Sequence, residues 1–208
     1  MRNLYIILSR TNTKVARTIR MVAKQNYSHV SISLEDDFSH IYAYGRPQHN
    51  AFLIGGLVEE SLDRYTLRKD NPIPIKILKF KINDYQYMWI KNKINTMLRN
   101  PEYMYNLYSI ITYPITKGIF VKNAFTCVEF AVYIMQHLGY LTDKPACKYK
   151  PDELSEIFNN YAIFEGEARE ILPYISDDAY YKKANFDLIV KSAYSFLKIS
   201  KRSLFEFI

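Results

Sequence analysis

Cys127 stands directly after Thr126, at the head of an apolar-periodic run from Val128 to Leu138 that Gly139 closes. Thr is a common helix N-cap, so the spacing predicts a helix that carries the thiol in its first turn. Unsatisfied N–H groups and the positive end of the helix dipole favour thiolate over thiol at such a place. The competing reading is a small buried residue that packs the start of a core helix. Hydrolysis through a cysteine needs a histidine to pair with the thiolate and later protonate the leaving group, and a polar residue to orient that histidine. His29 is the best-placed partner. In the alternating stretch Tyr27 to Leu34, Val30, Ile32 and Leu34 share one strand face, while His29, Ser31 and Ser33 share the other. A satisfied structural histidine is the alternative there.

The other histidines compete unequally. His137 falls on the same helix as Cys127 and roughly 15 Å along it by helical rise, so it cannot be the base. His40, beyond a hairpin turn, and His49, in a long loop, are not excluded by spacing. No His/Cys/Asp/Glu cluster has zinc-ligand spacing, and Gly55-Gly56 lacks the flanking residues of a phosphate-binding loop. No metal and no cofactor are therefore expected.

The elements that must position these residues follow from the apolar pattern. Leu4 to Leu8 is a continuous apolar run that predicts a buried strand, and Val15, Ile19 and Val22 predict a helix ending near Gln25. Tyr27 to Leu34 and His40 to Tyr44 predict an antiparallel pair around the turn Glu35-Asp36-Asp37-Phe38. Gln48 to Tyr65 reads as an irregular loop with one short strand near Leu57-Val58. Pro74 to Ile82 alternates as a strand, and Asp84 is expected to cap a helix from about Tyr85 to Leu98 that stops at Asn100-Pro101. Tyr103 to Tyr113 fits helix or strand, and Pro114 to Lys122 reads as loop. A short helix is expected from Lys150-Pro151-Asp152-Glu153-Leu154, and a last strand from Tyr161 to Gly166. Helices follow from Ala168 onward.

A chain of 208 residues can bury a core as one large domain or as a domain with an appendage. The formal charge of +7 is spread along the chain, which fits a solvated surface, so nucleic acid is not an expected partner. Two cysteines make no disulfide framework, and no stretch reaches the roughly twenty apolar residues of a transmembrane helix. A cytoplasmic protein with reduced thiols is the expectation. Asp187 to Leu197 is amphipathic and basic towards its end; it reads as a helix docked on the domain, with a peripheral membrane contact as the alternative.

The ordered combination Ser28-His29-Val30-Ser31-Ile32, Tyr44-Gly45-Arg46, Ile54-Gly55-Gly56-Leu57-Val58-Glu59-Glu60 and Asn123-Ala124-Phe125-Thr126-Cys127-Val128-Glu129-Phe130 resembles the YiiX-like branch of the NlpC-type papain-fold cysteine hydrolases. These are circularly permuted relative to papain, with the histidine strand ahead of the cysteine helix. The resemblance covers roughly Leu4 to Gly166. It implies an α+β, permuted papain-like fold in which a small antiparallel sheet packs against the nucleophile helix. Residues 1–167 would form the hydrolase domain and residues 168–208 a helical C-terminal extension. It further implies Cys127 as nucleophile and His29 as general base and acid, acting on a peptidoglycan-derived or lipid-linked amide or ester through an acyl-enzyme. Family members commonly place the orienting side chain at about the position of Ala43, which cannot serve. Glu59 or Glu60, Tyr42, a backbone carbonyl or a water would have to substitute, and Glu60 is the nominated residue. A catalytically weak or inactive papain-like binding module is the alternative function.

Overall fold

The computed structural model describes residues 1–11, 25–49, 51, 55–182, 190, 194 and 197–202. The helix expected around Val15, Ile19 and Val22 lies outside the described residues, as does most of the amphipathic stretch from Asp187 to Leu197. The chain is a mixed α+β structure built on a six-stranded antiparallel sheet. Its strands are β1 (Arg2–Ser9), β2 (His29–Ser33), β3 (Ile41–Gly45), β4 (Gly56–Glu60), β5 (Pro74–Ile82) and β8 (Ala162–Glu167), in the order β4-β3-β2-β1-β5-β8. A separate parallel pair joins β6 (Met104–Tyr105) to β7 (Ala124–Phe125).

β1 is apolar without a break from Leu4 to Leu8 because both of its faces are covered there. Leu4, Ile6 and Leu8 enter the larger core with Val30, Ile32, Phe80 and Phe130, whereas Tyr5 and Ile7 enter a smaller one with Ile41, Tyr65, Ile73 and Ile75. Each such fully buried side chain contributes about 1.5–3 kcal/mol by leaving water. The helices are α1 (Leu62–Thr66), α2 (Asp84–Arg99), α3 (Leu107–Thr116), α4 (Cys127–His137), α5 (Pro151–Ile157) and α6 (Asp178–Tyr181). α4 lies on β2 and β3, and α2 supplies Ile90, Ile94 and Met97 to the same larger core. Past Glu167 the chain stays on the sheet: Ala168 and Leu172 enter the smaller core, and Asp177 ion-pairs with Arg64.

Three local expectations are corrected. Asn83, not Asp84, caps α2: its side chain accepts from the Gln86 N–H at 2.8 Å while Gln86 accepts from the Asn83 N–H at 2.9 Å. Hydrogen-bond reciprocity at i and i+3 outweighs the charge of Asp84, which occupies the first helical position instead. The segment Gln48 to Tyr65 supplies the short strand expected near Leu57-Val58, as the edge strand β4, but it ends in the helix α1 rather than in loop. Pro114 lies inside α3 rather than opening a loop. Helix continues past it to Thr116, and the Thr112 and Thr116 hydroxyls donate to the Tyr108 and Thr112 carbonyls one turn back, at 2.7 and 3.1 Å.

Candidate active site

α4 starts where the sequence places it. Thr126 is the N-cap and its hydroxyl accepts from the Glu129 N–H, while the Glu129 carboxylate accepts from the Thr126 N–H. This reciprocal box fixes Cys127 as the first residue of the helix. At the other end, Gly139 takes φ +89°, and the N–H groups of Gly139 and Tyr140 donate to Gln136 and Met135. That closing turn uses a left-handed residue, which glycine adopts without steric cost.

His29 is the first residue of β2 and lies opposite Ser9 of β1. The register puts its side chain on the face of the smaller core, along with Ser31, whose neighbour across the ladder is Ile7. Its Nε2 meets Glu60 Oε2 at 2.8 Å, in a pair only 14 and 9% exposed. The Cys127 side chain is the other group that acts on this imidazole electrostatically. Burial works against a charged imidazole. The charges of Glu60 and Cys127 and the hydrogen bond to Glu60 outweigh it, and hold His29 well above the ordinary histidine range.

Glu60 ends β4, the edge strand, two strands from His29. It pairs with Ile41, a member of the smaller core, so its side chain shares a face with His29. Ala43, buried on β3, has no polar atom to offer; the carboxylate comes from one strand further out. Its Oε1 lies 3.6 Å from where a Cβ on Gly45 would stand. Tyr65 supports the arrangement from below. Its ring meets His29 edge-on at 5.9 Å, and its hydroxyl shares a 2.5 Å hydrogen bond with Ser31. Burial first, then the Glu60 charge, pushes its phenol well above the usual range.

The remaining candidates are engaged elsewhere. His40 pairs with Glu59 at 2.5 Å on the surface, both about half exposed at 52 and 51%, and Tyr42 stacks on it. His49 sits among the rings of Tyr180 and Tyr181, where burial and then Arg46 and Lys69 lower its proton affinity. His137 stacks on Trp89 with ring centres 3.5 Å apart. Cys147 is buried, and burial followed by the charge of Glu129 pushes its thiol up.

Sequence reasoning missed two groups. Tyr105 is packed so closely under Gly55 that a Cβ there would fall 2.5 Å from the tyrosine Cβ, and burial and the charge of Cys127 push its phenol far up. The pair Gly55-Gly56 was the available signal of such a close approach. Glu129 is the second: it is buried, receives the Asn106 amide on its two oxygens at 3.2 and 3.3 Å, and is pushed up to about 7, chiefly by burial. Thr126-x-x-Glu129 was the signal for that one. Among the described residues, no group of three or more His, Cys, Asp or Glu could hold a metal ion, and no helix is long and apolar enough to cross a membrane.

No family model and no curated protein matches the chain. Among solved structures it is similar to the type VI secretion system effector TseH, at 14% identity and a TM-score of 0.43, over 84% of this chain and 98% of that one. A likeness this loose fixes neither fold nor function.

Proposed function

We propose that the chain is a cysteine-dependent hydrolase of the permuted papain-like, YiiX-like kind, with Cys127 as nucleophile, His29 as general base and acid, and Glu60 as the residue that orients His29. The observation that carries this reading is a buried imidazole that bonds Glu60 at 2.8 Å and is acted on electrostatically by Cys127, the first residue of a helix. The thiolate attacks a carbonyl carbon, forming the C–S bond, while the oxyanion takes the N–H of Cys127, which a helix's first residue leaves unbonded. His29 gives its proton to the departing amine or alcohol as the C–N or C–O bond breaks. It then takes a proton from water, hydroxide adds to the thioester, and the C–S bond breaks to return thiolate and release acid. Amide and ester substrates, peptidoglycan-derived or lipid-linked, fit this chemistry equally.

The binding-module alternative rests on a missing orienter, and the Glu60 contact leaves it without that support. Both cysteines are free, as thiol chemistry requires, and a reducing compartment such as the cytoplasm would keep them so. Residues 1–167 hold all three proposed groups; residues 168–208 would be the extension. The test is the rate of iodoacetamide alkylation near neutral pH, read site by site by mass spectrometry. Cys127 should react faster than Cys147, and His29→Ala should slow Cys127 alone, by about 100-fold. Equal rates at the two thiols would overturn the assignment.

A further inference from the structure

α3 packs only part of its apolar surface: Leu107, Tyr108, Ile110 and Tyr113 are half-buried, with Tyr108 against Met104, Val121, Ala124 and Ile199. Soluble helices put their apolar stripe on the core and their polar residues towards water. In α3 the fully buried residue is Ser109, and Thr112 and Thr116 turn their hydroxyls back onto the helix. Ile111 and Ile115, one turn apart on the same side, are 60 and 88% exposed, and Phe120 just beyond the helix is 62% exposed. Such a crest of large apolar groups marks a contact surface.

The charges around it say what kind. From Tyr103 to Val128 the chain contains Lys117 and Lys122 and no acidic residue. Lys148 adds a third ammonium at the C-terminal end of the helix, where it donates to the Thr116 and Gly118 carbonyls, both at 2.8 Å. The preceding acid, Glu102, is bonded by Lys198 and Arg202, and the following one, Glu129, is buried. Apolar side chains that project from a helix flanked by lysines are what an interfacial helix offers to anionic headgroups. We infer that α3 and the Phe120 turn dock the protein on an anionic lipid bilayer, with Ile111, Ile115 and Phe120 entering the acyl boundary and Lys117, Lys122 and Lys148 facing the headgroups.

α3 is well anchored for this. Asn106, its N-cap, donates to the Ile119 carbonyl at 2.8 Å and to the carboxylate of Glu129 on α4, so the docking helix and the Cys127 helix are tied at their bases. The surface inferred here does not depend on the reaction at Cys127, and the two can fail separately. In the C-terminal segment, Lys198 and Arg202 are less available for such a contact, since both bond Glu102.

The experiment is co-sedimentation of the full chain with vesicles of phosphatidylcholine containing phosphatidylserine, and with phosphatidylcholine alone. The chain should pellet with the anionic vesicles, and less so as salt is raised. Ile111→Asp with Ile115→Asp should weaken that binding by at least about tenfold, and Lys117→Glu with Lys148→Glu should weaken it too. Circular dichroism and Cys127 alkylation, unchanged in the isoleucine variant, show that the fold and the proposed site are intact. A chain that stays in the supernatant overturns the inference, and so does an isoleucine variant that binds as well as the parent. It is equally overturned if the parent is a dimer that ignores vesicles and that Ile115→Asp dissociates.

Discussion

Helices α3 and α4 meet at one amide and follow opposite rules. α4 buries Phe130, Ala131, Val132, Ile134 and Met135 and takes the carboxylate of Glu129 in with them, whereas α3 buries Ser109 and leaves isoleucines in water. Asn106 bonds both, accepting from the Ser109 N–H at 3.1 Å and donating to Glu129. The contrast separates two uses of a helix. α4 is held along its length by the larger core and carries the Cys127 thiol at its first residue. α3 is held by its ends, by a polar seam and by Tyr108 against a small apolar cluster, and Ile111 and Ile115 are left for something outside the chain.

Stability measurements should sharpen the contrast. Phe130→Ala opens a cavity in the larger core and should cost about 3–5 kcal/mol in chemical denaturation. Asn106→Ala leaves buried groups on both helices without their partner and should cost about 1–3 kcal/mol, with a matching fall in melting temperature. Glu129→Gln should act through pH instead. Burial raises the folded-state affinity of Glu129 for its proton, so its share of stability is full below the unfolded carboxyl range and is lost as pH rises through about 7. The parent should therefore lose stability between mildly acid and neutral pH more steeply than the variant, and parallel slopes would refute this. Ile115→Ala, at a position 88% exposed, should change stability by no more than about 0.5 kcal/mol. A cost near that of Phe130→Ala would mean α3 is core after all.

His29 adds a second pH signature. Its proton affinity is raised in the fold, so the Glu60 contact stabilises most at low pH and is lost as pH climbs through the raised value, above the usual histidine range. Glu60→Gln removes the charge that sustains the imidazolium. It should shift the pH profile of Cys127 alkylation and slow it about tenfold near neutrality. An unchanged profile would show that Glu60 does not act through His29.

The parts legible in the sequence were those governed by local pattern. β1, β5 and β8 follow the apolar runs closely, and Thr126 and Gly139 bound α4 because caps and left-handed turns are short-range chemistry. His29 on the polar face of its strand was readable by alternation alone. What was not readable depends on pairing between distant strands. A short strand near Leu57-Val58 was legible, but not its place at the edge of β3, so Glu60 could be nominated without any argument for its direction. α3 was unreadable for the opposite reason. A helix with isoleucines on its outer side gives the period of a buried one, and Pro114 suggested a loop where the helix runs on to Thr116.

Gly118 gives one more consequence. Its φ of +104° and the Cys147 carbonyl, which would stand 1.9 Å from any Cβ there, leave room for no other residue. Lys148, next to that carbonyl, bonds the carbonyl of Gly118 itself. The turn after α3 is thus clasped to a segment thirty residues later in the chain, so a protease cut between Gly118 and Cys147 would leave two fragments that stay together. Nicking the loop and asking whether thiol reactivity survives would separate continuity of the chain from continuity of the site.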